Sequence, residues 1–170
     1  MARVYIGVGS NQDRERHVRA AIAALASQFG ALALSPVYES PAWGFEGEPF
    51  FNLVIGFDTD LLLEDLLKRL RDIEMCEGRV RNHLRFGPRT LDLDVLLFDA
   101  RIVRQGSIRI PREEILTHAF VLKPLADLLP MGVHPESGQT YAHHWDAFCT
   151  QHPKEARALT RLSLTLTDNP

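Results

Sequence analysis

Apolar and polar positions along the chain fall into strand-like and helix-like stretches. Residues 4–8 read as a first strand, ended by the turn-forming run Gly7-Val8-Gly9-Ser10-Asn11. Over 13–29 the apolar positions Val18, Ala21, Ile22 and Leu25 recur at helical spacing, and Gly30 supplies a stop. Residues 31–38 read as a strand broken by Pro36. Residues 41–49 hold Gly44, Gly47 and two prolines around Trp43 and Phe45, which predicts a loop carrying aromatics. Residues 50–59 read as a strand. Residues 62–75 form a strong amphipathic pattern, with Leu63, Leu66, Leu67, Leu70 and Ile73 on one side and Gly78 as a cap. A basic loop over 79–89 leads to a strand over 90–98. Short helices follow over 111–129, punctuated by Pro124 and Pro130, with a last short helix over 141–149.

The core order is strand, helix, strand, strand, helix, strand. That is the split βαβ, ferredoxin-like βαββαβ arrangement. The expected fold is therefore α+β: an antiparallel sheet, helices packed on it, and a C-terminal helical extension. A length of 170 residues suits one domain over 1–170, with disorder expected only over 165–170.

Composition narrows the partners more than the fold. No run of 18 apolar residues and no signal-peptide pattern occurs, so no membrane partner and a cytoplasmic location are expected. Cys76 and Cys149 are far apart and form neither a disulfide framework nor a metal-spacing cluster; they read as two reduced thiols. Net charge is −3, which disfavours nucleic acid as a partner. Against that acidic background, residues 79–89 carry Arg79, Arg81, Arg85 and Arg89, one histidine and no acid. A concentrated anion site fits this distribution better than a broad basic face.

Chemistry concentrates just after that loop. In a strand, residues two apart share a face, so Asp92 and Asp94 present two carboxylates side by side while Leu91, Leu93 and Val95 face the other way. Adjacent carboxylates repel unless a cation joins them, and Mg²⁺ typically binds through one or two carboxylates plus substrate phosphates. The plain alternative is a strand with one solvated face. The neighbouring arginines favour the metal, because their forked guanidinium groups match phosphate oxygens. A carboxylate pair beside an arginine-rich loop suits MgATP phosphoryl chemistry. Gly87-Pro88 suggests a fixed turn and Gly78 a point of motion, so a lid closing over ATP is expected. Neither G-x-x-x-x-G-K-[ST] nor a strand-to-helix G-x-G-x-x-G is present, so any ATP site depends on arginines and metal. Trp43, Phe50, Phe86 and Phe120 could wall a flat ligand, and Asn52 could pair with its polar edge. Each of these aromatics except Trp43 is also an ordinary core candidate.

These stretches together resemble the hydroxymethyldihydropterin pyrophosphokinase family over nearly the whole chain. The matching segments are Tyr5-Ile6-Gly7-Val8-Gly9-Ser10-Asn11, Ser35-Pro36-Val37-Tyr38-Glu39-Ser40-Pro41 and Pro49-Phe50-Phe51-Asn52. They continue with Glu74, Gly78-Arg79-Val80-Arg81, Arg85-Phe86-Gly87-Pro88-Arg89-Thr90-Leu91-Asp92-Leu93-Asp94 and Phe120-Val121-Leu122-Lys123-Pro124-Leu125. The resemblance implies pyrophosphate transfer from ATP to 6-hydroxymethyl-7,8-dihydropterin by a monomer. Asp92 and Asp94 would hold two Mg²⁺ ions. Arg79 and Arg89 would contact ATP phosphates, Arg81 would ride on the closing loop, and Glu74 would take part in the nucleotide site. Asn52 would bond the pterin, Phe120 would stack on it, and Ser40, Pro41, Trp43 and Phe50 would line its pocket, with Asp92 at the reacting end.

The chain departs from the family pattern at Arg112 and Glu113, where histidine and then an aromatic or proline are usual. It departs again at His118, where arginine is usual, and at Phe86, where tryptophan is usual. Ser107 and Arg109 fall where some members carry nucleotide contacts. Arg109, Arg112 and His118 remain possible cations for phosphate, so activity with altered ATP binding is expected. Two rival readings stand beside this one. One is a paralogue that binds pterin or nucleotide without efficient transfer. The other is an RNA-binding ferredoxin-like module, which the acidic pair and the net charge disfavour.

Overall fold

A computed structural model of the chain describes residues 1–42, 47–77 and 91–166. Strand β1 (Ala2–Ser10) runs unbroken through Gly7 and Gly9. This corrects the expected end at Val8: the glycines are strand residues, and the chain turns only after Ser10. Helix α1 (Arg14–Phe29) starts after Asp13, which adopts the left-handed conformation at φ 47°, and buries Val18, Ala21 and Leu25. The strand predicted over 31–38 is split, as Pro36 demands, into β2 (Ala33–Leu34) and β3 (Val37–Ser40). Ser35 stitches the break to the sheet: its amide donates to the Val54 carbonyl at 2.9 Å, and its Oγ accepts from the Val54 amide at 2.8 Å.

Strand β4 (Phe50–Thr59) pairs with both β2 and β3, and α2 (Leu63–Cys76) follows. Leu63, Leu66, Leu70 and Ile73 bury one stripe of α2, while Glu64 and Asp65 in its first turn suit the positive end of the helix dipole. Strand β5 (Asp92–Phe98) then pairs with β1. The order β5-β1-β4-β3, all antiparallel, is the ferredoxin-like sheet expected from sequence.

The remaining elements extend this core. A hairpin of β6 (Val103–Gln105) and β7 (Ile108–Ile110) leads to α3 (Glu114–Thr117) and α4 (Ala119–Leu128). Helix α4 continues through Pro124 and stops one residue before Leu129, so that proline is no boundary. After α5 (Tyr141–Gln151) and α6 (Pro153–Ala158), β8 (Thr160–Leu162) returns to pair with β3 and lengthen the sheet. Among the described residues, no helix is long and apolar enough to cross a membrane. Cys76 and Cys149 are free. The disorder expected over 165–170 falls largely outside the described residues.

Two apolar layers sandwich the sheet. One joins Val4, Ile6, Val8, Leu53, Ile55, Phe57, Leu91, Leu93 and Val95 to α1 and α2. The other joins Val54, Leu96 and Leu97 to α3, α4 and α5. Each fully buried leucine or isoleucine contributes roughly 1.5–3 kcal/mol of transfer free energy. β5 crosses from one duty to the other by a bulge: Tyr5 opposes Leu97 and Ile6 opposes Val95, so Leu96 is the extra residue.

Candidate active site

Four expected site residues, Asn52, Asp92, Asp94 and Phe50, lie on neighbouring strands on the sheet face that carries the second layer. Antiparallel register aligns them in rows. Gly9 lies opposite Asn52 on β4 and opposite Asp92 on β5, and Gly7 lies opposite Val54 and Asp94. One row therefore reads Asn52–Gly9–Asp92 straight across three strands. Gly7 and Gly9 are half-buried although β1 is a central strand, flanked by buried Ile6, Val8 and Ser10. Glycine backbone therefore separates the carboxylates of β5 from the amide of β4, and the Leu96 side chain lies over Gly7, 3.5 Å from where a Cβ would stand.

On the amide side, Asn52 is 6% exposed, and its Nδ2 donates to Ser40 Oγ at 2.8 Å. This bond fixes the amide plane and turns Oδ1 toward Gly9, where a Cβ would meet it at 3.7 Å. Phe50 borders the same spot, with Cδ1 at 3.9 Å from that position. Pro41 follows Ser40 at the end of β3 and is exposed. Phe120 stands in the first turn of α4, half-buried, its ring stacked on His118 with centroids 5.1 Å apart and planes 9° apart.

On the acid side, Asp92 and Asp94 are both half-buried, and Leu91, Leu93 and Val95 point into the opposite layer as expected. Burial, and after it the nearby Asp92 charge, pushes the Asp94 carboxyl up to about 7; Arg112 opposes this, while Glu74 and Glu114 add to it. The carboxylate thus sits where its own negative charge is disfavoured, which is the condition a bound cation relieves. Two half-buried hard oxygen donors two residues apart on one strand face fit Mg²⁺, whose other ligands come from phosphate and water. Among the described residues no group of three or more His, Cys, Asp or Glu side chains placed to hold a metal ion occurs.

Glu74 lies on α2, 5% exposed, and its Oε1 accepts the Leu93 amide at 2.7 Å. β5 is the border strand of the sheet, so this bond satisfies an outward amide between the two aspartates and braces both. Arg112 reaches the pair from the segment after β7: Nη2 is 3.6 Å from Asp94 Oδ1, and Nε is 3.3 Å from Glu114 Oε2. Its amide donates to the Leu96 carbonyl at 3.0 Å, which ties the segment to β5. Arg109, in contrast, is exposed, and its Nη1 donates to the hairpin carbonyls of Gly106 and Ile108 at 2.7 and 3.0 Å. Glu113 is exposed at the start of α3. Trp43, Arg79, Arg81, Arg85, Phe86 and Arg89, and with them the expected lid, lie outside the described residues.

Sequence reasoning did not foresee the placement of four residues. It read Gly7 and Gly9 as a turn, although their two-residue spacing puts both on one strand face. It placed Glu74 near the nucleotide without seeing its bond to Leu93, which only the packing of α2 on β5 creates. It also missed Arg14, whose Nη1 binds Glu39 Oε2 at 2.9 Å and the Pro49 carbonyl at 3.1 Å. Its guanidinium lies 4.1 Å from the Phe51 ring centroid, so it ties both strands on the amide side to the start of α1.

The site is thus a ferredoxin-like antiparallel sheet that carries an acid pair on β5 and an oriented amide on β4, on either side of Gly9. The sequence profile of the 7,8-dihydro-6-hydroxymethylpterin-pyrophosphokinase (HPPK) family matches residues 5–130, and the chain belongs to that family. It is 43% identical over 132 residues to the 2-amino-4-hydroxy-6-hydroxymethyldihydropteridine pyrophosphokinase of Pseudomonas aeruginosa, covering 75% of this chain and 81% of that one. It is 36% identical over 137 residues to the enzyme of the same name from Aquifex aeolicus, covering 79% and 85%. The crystal structure of Plasmodium falciparum HPPK-DHPS with pteroate shares the fold at a TM-score of 0.79 and 11% identity. That alignment covers 96% of this chain, which spans only 46% of the longer one.

Proposed function

We propose that this chain transfers pyrophosphate from ATP to 6-hydroxymethyl-7,8-dihydropterin in folate biosynthesis, giving the pterin diphosphate and AMP. The observation that supports this reading is the row Asn52–Gly9–Asp92, which sets an amide and a carboxylate on either side of one glycine. The hydroxymethyl oxygen forms a bond to the β-phosphorus of ATP. The bond from that phosphorus to the α,β-bridging oxygen breaks, AMP departs, and the hydroxymethyl proton is lost.

Asn52, held by Ser40, receives the pterin edge; Phe50, Phe120, Pro41 and Trp43 enclose its faces. Asp92 and Asp94 hold Mg²⁺, two ions in the expected arrangement, and Glu74 keeps their strand in place. When bound, Mg²⁺ neutralises and orients phosphate oxygens. Arg79, Arg81 and Arg89 meet the phosphates. Arg112, already beside Asp94, is a further cation for them, and Arg109 and His118 are nucleotide-side candidates. No group on the chain needs to form a covalent intermediate, so positioning and electrostatics supply the rate. The substrates are two small molecules, with no nucleic-acid or membrane partner. A monomer in the cytoplasm suits the free Cys76 and Cys149.

The test is AMP formation from ATP, Mg²⁺ and 6-hydroxymethyl-7,8-dihydropterin, with Asp94→Ala beside the wild type. Pterin-dependent AMP release that the substitution abolishes is expected. Pterin binding by calorimetry without any AMP release would overturn the transfer reading.

A further inference from the structure

We infer that Tyr38 and Asp127 are a positioning pair for the pterin: the hydrogen bond between their side chains clamps α4 to β3 and so sets Phe120 against Asn52. This rests on the pterin reading above and adds two residues to it.

The two groups assigned to the ring stand on different elements. Asn52 is on β4, and Phe120 is in the first turn of α4. A ligand that touches both is held well only when helix and sheet keep one fixed separation, so the supporting contacts matter as much as the two side chains. The helix gives its first turn less support than usual. Pro124 has no amide hydrogen for the Phe120 carbonyl, so the turn that carries Phe120 is joined to the rest of α4 by one helical bond fewer.

A polar bridge supplies support from the sheet. Asp127 follows Phe120 by about two helical turns and lies on the same face of α4. Its Oδ2 accepts the Tyr38 hydroxyl from β3, and its Oδ1 lies 2.8 Å from Lys123 Nζ, one turn back. Tyr38 is 4% exposed. Burial, and after it the bond to Asp127, pushes its phenol above the usual range, so it stays protonated and donates. The same residue touches the amide through its backbone. Tyr38 pairs with Asn52 in the ladder of β3 and β4, and its carbonyl accepts from Asn52 Nδ2 at 3.4 Å. One residue thus links the Asn52 amide to the helix that carries Phe120. Lys123 also lies 5.4 Å from the Trp145 ring centroid on α5, which ties the bridge to a segment beyond the residues matched by the family profile.

A half-buried phenol–carboxylate bond could serve stability alone, and ligand binding separates the two roles. Wild type, Tyr38→Phe, Asp127→Ala, Asp127→Asn and the Tyr38→Phe/Asp127→Ala double variant are compared as full chains, well below their melting temperatures. Binding of a non-hydrolysable ATP analogue with Mg²⁺ is measured by calorimetry, and binding of 6-hydroxymethylpterin is then measured in its presence. Tyr38→Phe and Asp127→Ala should each weaken pterin affinity roughly three- to tenfold, the worth of one hydrogen bond, and leave the ATP analogue unaffected. The double variant should bind pterin no worse than the weaker single variant, because both substitutions break the same bond. Asp127→Asn keeps an oxygen for the phenol and should hold near wild-type affinity. Pterin affinity unchanged in both Tyr38→Phe and Asp127→Ala, whatever their melting temperatures, would overturn the positioning role and leave the proposed function standing. Equal losses of pterin and ATP-analogue binding would also overturn it. A wild type that binds no pterin would overturn both readings.

Discussion

The two faces of the sheet are cut from the same strands and follow opposite rules. On the face under α1 and α2, every inward position from Val4 to Val8, Leu53 to Phe57 and Leu91 to Val95 is a large apolar side chain. On the other, the same strands offer glycine, asparagine and aspartate, and apolar packing resumes only at Val54, Leu96 and Leu97. One face stores the free energy of folding. The other interrupts its apolar packing with polar side chains, of which Asn52 is buried and Asp92 and Asp94 are half-buried. Adjacent residues such as Leu93 and Asp94 therefore have separable effects, and substitutions can test that separation.

The largest effect belongs to Asp94→Asn. The side chain keeps its shape and loses its charge, so cation-dependent turnover should fall by on the order of 10³-fold, a barrier increase of about 4 kcal/mol. The fold should survive, as thermal unfolding will show. Leu93→Ala should do the reverse, destabilising the chain by roughly 2–5 kcal/mol in urea titrations while leaving the acid pair in place.

A smaller effect is set by pH. In the folded, metal-free chain Asp94 ionises near 7 instead of its ordinary 3.8. Between those values the folded state holds a proton that the unfolded state has released, so stability declines as pH rises through the window. The stability contribution is full below about 3.8 and lost above about 7. Because Asp94 is 36% exposed, solvent screens part of the effect. Asp94→Asn should flatten this slope in melts run across the window, and Mg²⁺ should bind the wild type more tightly as pH rises. A wild-type slope that the substitution leaves intact would assign it elsewhere.

Smallest of all is Tyr141→Phe. The Tyr141 hydroxyl is fully buried in the second layer without a hydrogen-bond partner, and burial pushes its ionisation well above the usual phenol range. Removing it should change stability by no more than about 1 kcal/mol, in the stabilising direction.

Much of this molecule was legible in its sequence. Strand β4 matches its expected bounds, and α1 and α2 match to within a residue or two, because long amphipathic periods carry their own register. The carboxylate pair was legible because a period of two leaves Asp92 and Asp94 no choice of face. What escaped was whatever depends on a distant partner. A three-residue strand such as β8 has no local signature, and exists because the border of β3 offers it hydrogen bonds. The β6–β7 hairpin is equally short. Arg112 was read as a phosphate cation, and only the tie of its amide to Leu96 reveals it beside Asp94. Gly7 and Gly9 were misread because glycine is the commonest sign of a turn. Their place inside a central strand is visible only once both neighbouring strands are in place.

The bulge at Leu96 has a consequence for how such a chain can change over generations. Upstream of it, inserting or deleting one residue in β5 would swing the aspartates into the oily layer and the leucines into water. At the bulge itself the strand already carries an unmatched residue, so the phase of its acidic half is insulated from that of its apolar half. A change in the length of the chain beyond Leu96 can therefore leave the aim of the acidic half unaltered.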